Sequence, residues 1–84
     1  MPQITVSNPT TSPGTVTVCV EPAPTERISL DIETFDSNGD QLESYQVYIY
    51  PPDSCALLSI PEGCWGGFVS DPNGAMQKKA IVVL

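Results

Sequence analysis

Apolar and polar residues alternate along this chain almost from end to end, and the alternation breaks only at prolines, glycines and Asn or Asp turns. A period of two marks strands with one buried face, and no segment shows the spacing of an amphipathic helix. In the first run, Gln3–Ser7, Ile4 and Val6 face inward while Thr5 and Ser7 face outward. A turn-rich connection, Asn8 to Gly14, leads to Thr15–Glu21, where Val16, Val18 and Val20 share one face and Thr15, Thr17, Cys19 and Glu21 the other. Pro22-Ala23-Pro24 ends that run, because proline cannot donate to a central ladder.

Arg27–Phe35 alternates again, with Ile28, Leu30 and Ile32 inward and an acidic outer face of Ser29, Asp31 and Glu33. Asp36-Ser37-Asn38-Gly39-Asp40 follows, and Asn-Gly is a strong hairpin signal because both residues tolerate positive φ. Strand 27–35 is therefore expected to pair with Gln41–Tyr50. That run carries Tyr45, Val47 and Ile49 on one face and Tyr48 and Tyr50 on the other, which suggests cover on both sides. Beyond Pro51-Pro52, Cys55–Ile60, Cys64–Ser70 and Gln77–Leu84 make three more strands, separated by turns at Pro61-Glu62-Gly63 and Asp71-Pro72-Asn73-Gly74.

A length of 84 residues allows a single domain, 1–84, that buries roughly 60–65% of the surface its unfolded chain exposes. Stability at that size is marginal unless a partner adds to it. With 40% hydrophobic and 15% charged residues the chain is too apolar for a disordered tail, and nine Pro and six Gly are too many for a helical bundle. No apolar run approaches a membrane span.

Ten acids stand against Arg27, Lys78 and Lys79, for a net charge of −7. Phosphate neutralisation needs clustered Lys and Arg, so neither nucleic acid nor an anionic membrane is an expected partner. Six of the ten acids lie between Glu26 and Glu43, while Lys78 and Lys79 come near the other end of the sequence. A solvated face explains this, and so does steering toward a basic surface, or contact between the acidic stretch of one copy and the lysines of the next. The opening residues have no positive n-region or apolar h-region. The expectation is a protein kept in a cytoplasm, or a domain cut from a longer exported one.

The chain has no His, and with it goes the usual general base near neutral pH. Nothing sets a Ser, Thr or Cys beside another base, so no enzyme is expected. The carboxylates Glu33, Asp36, Asp40 and Glu43 could pair for glycoside chemistry only in a cleft deeper than a domain of this size builds. Asp36 to Asp40 alternates oxygen side chains like half a calcium loop, yet Gly39 falls two positions early and no Glu closes the loop, so a hairpin is the better reading. No metal or cofactor is expected. Cys19, Cys55 and Cys64 are odd in number, lack paired spacing and offer no fourth ligand for zinc. They read mainly as small buried hydrophobes, with a Cys55–Cys64 bridge and a free Cys19 left open.

Seven short strands between turns describe an antiparallel β-sandwich. With the strand end Tyr48-Ile49-Tyr50-Pro51-Pro52 and the closing Ala80-Ile81-Val82-Val83-Leu84, the layout resembles a small immunoglobulin-like or fibronectin type III-like module over its whole length. Antibody-type domains place a Trp between two bridged cysteines, whereas Trp65 follows all three cysteines here, so the resemblance is to the sandwich and not to that subclass.

As a compact acidic sandwich without a catalytic kit, the chain also resembles the small immunoglobulin-like decoration, or cement, proteins of tailed-phage heads, which bind the outer capsid surface and brace it. That resemblance implies a structural protein of the virion, assembled in the host cytoplasm. Its partner would be the major capsid protein or another virion protein, with self-association as a further option. Edge strands 3–7 and 77–84 would dock by strand addition. Trp65, Phe68, Tyr45, Tyr48 and Tyr50 are candidates for an aromatic platform, most of them for cross-strand packing. The expected partner-binding residues are Ile4, Val6, Tyr48, Tyr50, Trp65, Lys78 and Lys79. The competing expectation is a spacer or carbohydrate-binding module from a bacterial surface protein.

Overall fold

Each alternating run becomes a strand whose ends fall within two residues of those expected. The computed structural model describes residues 1–84 as β1 (Gln3–Val6), β2 (Gly14–Glu21), β3 (Ile28–Phe35), β4 (Gln41–Ile49), β5 (Cys55–Ile60), β6 (Gly66–Ser70) and β7 (Lys79–Val82), with no helix. They form two antiparallel sheets, of order β1-β2-β5 and β4-β3-β6-β7. This arrangement is consistent with the immunoglobulin-like β-sandwich that the strand spacing predicts. Hairpins β1–β2, β3–β4 and β6–β7 stay within a sheet, and the chain crosses between sheets after β2, β4 and β5.

One cluster of twelve buried residues lies at the core. It takes Ile4 from β1, Val16, Val18 and Val20 from β2, Leu30 and Ile32 from β3, Ile49 from β4, Leu58 and Ile60 from β5, Val69 from β6 and Ile81 from β7, with Cys64 beside them. These are the inward positions of the alternation, and burying each aliphatic side chain contributes roughly 1.5–3 kcal/mol. Thr34 is the one fully enclosed polar side chain, and its Oγ1 accepts a 3.1 Å bond from the Glu43 amide where the β3–β4 register shifts. The expected pairing of β3 with β4 is present, from Ile28↔Ile49 to Phe35↔Gln41.

Aspartate side chains build the turns. Asp36 Oδ1 accepts from the amides of Asn38 at 2.9 Å and Asp40 at 3.0 Å, and its main-chain oxygen accepts from Gly39 at 3.0 Å. Only Gly39 takes a positive φ, of 83°, so this is a longer turn closed by a left-handed glycine and not the two-residue form in which Asn38 would also be positive. Asp71 repeats the device with Asn73, Ala75 and Met76.

Several expectations are corrected. The bridge is Cys19–Cys55, joining directly opposed residues of β2 and β5, and the free cysteine is the buried Cys64. Cys19 and Cys55 both point away from the core, so only one cysteine serves as a buried hydrophobe. Sequence spacing hides this bridge because its residues meet only when the two strands pair. The outer face of β4 is not covered: Tyr48 is 42% and Tyr50 57% exposed.

The edge of β7 is already occupied. Asn8 Nδ2 donates to the Ala80 carbonyl at 2.8 Å while its Oδ1 accepts from the Val82 amide at 2.9 Å. Thr10 donates its amide to Val82 and accepts from Leu84, in a parallel bridge with Val83. The Ala80 carbonyl, both main-chain groups of Val82 and the Leu84 amide are thus taken, so strand addition along this part of 77–84 is blocked, and the turn-rich segment after β1 acts as its cover.

Candidate functional site

On the outer face of the four-stranded sheet, two rows of side chains run across β3, β6 and β7. Phe35, Gly66 and Val82 make one row, and Glu33, Phe68 and Ala80 the next. Gly66 has no side chain, so a trough opens between Phe35 and Val82. The Phe35 and Phe68 rings meet edge to face, with centroids 6.2 Å apart. Trp65, anchored by its amide donating to the Phe35 carbonyl at 2.8 Å, lines the end of the trough and is 72% exposed. The resulting groove of about 740 Å³ is mainly apolar, with Asp36, Ser37 and Asn38 of the β3–β4 turn on its rim.

A second aromatic patch stands further along the same face, at the other end of β4. Tyr48 and Tyr50 lie with ring centroids 6.3 Å apart, and the Arg27 guanidinium sits 5.1 Å from the Tyr48 ring centre. The Tyr48 hydroxyl donates to Gln46 Oε1 at 3.0 Å, and Gln46 Nε2 donates to Asp31 Oδ1 at 3.1 Å. This chain of bonds ties Tyr48 to the acidic outer face of β3.

The sheet order brings Trp65, Tyr48, Tyr50 and Lys78 to one side of the molecule. Lys78 reaches it because β7 lies next to β6, which places its Nζ 4.9 Å from the Phe68 ring centre. The lysines and the acidic β3 thus share a sheet and do not form opposite poles. Ile4, Val6 and Lys79 are placed elsewhere. Ile4 is fully enclosed, Val6 is half-buried against the core, and Lys79 is half-buried opposite Val69. Only the backbone of β1 is presented to a neighbour at Ile4.

Tyr45 faces inward and packs against the core, where burial first and the Glu43 charge second hold its phenol above the usual 10.0. Phe35 and Val82 were missed by sequence reasoning. The alternation that sends Asp31 and Glu33 outward sends Phe35 outward too, so the signal was present at the end of that strand.

No three Cys, Asp or Glu side chains stand close enough to share a metal ion. Asp36 Oδ1, the first oxygen of the calcium-like spacing, is already engaged by two backbone amides. Two further hollows exist. One of about 630 Å³ lies around the β2–β3 connection, and one of about 640 Å³ lies between the edges of β4 and β5. Neither gathers several exposed aromatic rings as the Gly66 groove does. No known family model, curated protein or solved structure matches the chain.

Proposed function

We propose that this protein is a non-enzymatic structural component of a virus particle, a decoration module that binds and braces the outer head surface of a tailed phage. The observation that carries the reading is the bare aromatic sheet face. An exposed apolar patch with a polar rim is a mark of an interaction surface, and cover by a partner protein accounts for it. A binding partner also stabilises a small domain by mass action, and a head lattice presents the same partner surface many times.

The test is sedimentation of native particles followed by mass spectrometry of their components. Recovery with a capsid or tail protein in fixed stoichiometry supports the proposal, and recovery only as a free monomer overturns it.

One observation favours a second reading, a carbohydrate-binding or spacer module of a bacterial surface protein. The Cys19–Cys55 bridge suits an oxidising compartment, and Trp65 with Asp36, Ser37 and Asn38 offers a stacking ring beside polar groups. A glycan-array screen tests it, a hit that disappears with Trp65→Ala being the expected result and no hit overturning it.

A further inference from the structure

Aromatic rings on the outer sheet face already carry cations. Arg27 stands over Tyr48 and Lys78 over Phe68, which engages two of the three basic side chains of the chain. The third, Lys79, is half-buried opposite Val69. Tryptophan attracts cations more strongly than either of those ring types, and Trp65 is the most exposed ring on the molecule. Asp36 lies on the groove rim beside it. Glu33 is the cross-strand neighbour of Phe68, Asp31 is two residues back along β3, and the chain as a whole carries −7. Lys78 stands over Phe68 in the groove's lining, but no cation of the chain stands over Trp65, so a cation for that ring comes from outside.

We propose that the groove over Gly66 docks a segment of a partner protein that carries a Lys or Arg beside an apolar residue. The cation lies over Trp65 and toward Asp36, and the apolar side chain fills the trough between Phe35 and Val82. Charge complementarity selects this occupant: a second copy of the chain brings another net charge of −7, and a neutral sugar can offer Asp36 hydroxyl donors but no opposite charge. The inference rests on the reading of this face as a protein-docking surface and adds the chemistry of its partner.

Trp65 is the only tryptophan, so its indole signal reports on the groove alone. The probe is a capped Gly-Leu-Arg-Leu-Gly peptide, titrated into the intact protein by NMR. Its controls are the same peptide with neutral citrulline replacing arginine, and a cello-oligosaccharide. The expected result is a saturable shift of the Trp65 indole, about five-fold weaker with citrulline, and weakened as salt rises from about 20 to about 200 mM. Trp65→Ala should abolish binding, and Asp36→Asn, which keeps the oxygen that the turn amides need, should weaken it.

Equal affinity for the citrulline peptide, shifts centred on Tyr48 and Tyr50, or saturation by the oligosaccharide in place of the peptide would each overturn the inference. Particle sedimentation separates this idea from the one it rests on. Trp65→Ala protein that still travels with particles keeps the virion reading and removes this face from it. Peptide binding at Trp65 without particle association keeps the face and removes the virion.

Discussion

Two adjacent glycines serve opposite sides of one sheet. Gly66 points outward, and a Cβ there would lie 3.6 Å from the Ile81 carbonyl, an ordinary contact. Gly67 points inward, where a Cβ would run into the Glu33 carbonyl of the neighbouring strand. Gly66→Ala should change stability by less than about 0.5 kcal/mol while shallowing the groove. Gly67→Ala should cost about 1–3 kcal/mol, and urea unfolding of the pair distinguishes them. Tyr45 gives a pH signature. Its phenol is held above 10.0 in the fold, so its contribution is complete below that pH and is lost as pH rises through the folded value. Thermal melts above pH 10 should show a decline that Tyr45→Phe makes shallower. At this scale the sequence showed which aromatics could face out, and Tyr48, Tyr50 and Trp65 do. It could not show that Gly66 would sit between Phe35 and Val82, because that juxtaposition depends on pairing across three strands.

Strand ends were legible because a period of two, stopped by proline and Asx turns, leaves little freedom in where a strand begins. Strand partners were less so. The β3–β4 hairpin is local and followed from its turn, whereas β2–β5 and β3–β6 join distant segments. The Cys19–Cys55 bridge depends on the first of these, and without it the cysteines could not be assigned. Closing a loop with a sequence separation of 36, the bridge should contribute about 4 kcal/mol by restricting the unfolded chain. A reducing agent should lower the melting temperature accordingly, and Cys19→Ser with Cys55→Ser should reproduce the loss without reductant. The second distant element is Asn8, whose side chain imitates a strand along β7. Asn8→Ala removes both of its bonds and should cost about 1–2 kcal/mol. It also bares part of an edge, so dimers or larger species should appear in size-exclusion chromatography under conditions where the native protein shows none.

For the whole molecule, charge decides behaviour. With a net charge of −7 and its few cations partly engaged by aromatic rings, the folded protein repels itself. Raising salt from about 10 to about 200 mM should therefore raise its melting temperature by about 2–5 °C, even though the same salt weakens docking of a basic partner. A calorimetric scan at each salt concentration checks the first effect independently of any ligand. The cover on β7 also has a mechanical meaning. Asn8 and Thr10, close to the start of the chain, are bonded to Ala80, Val82 and Leu84 at its end, and the Thr10–Val83 bridge is parallel. Tension applied between the two termini would load these bonds together in shear and would not peel them one at a time. A module pulled by its ends would thus have to break the set at once before the sandwich could open.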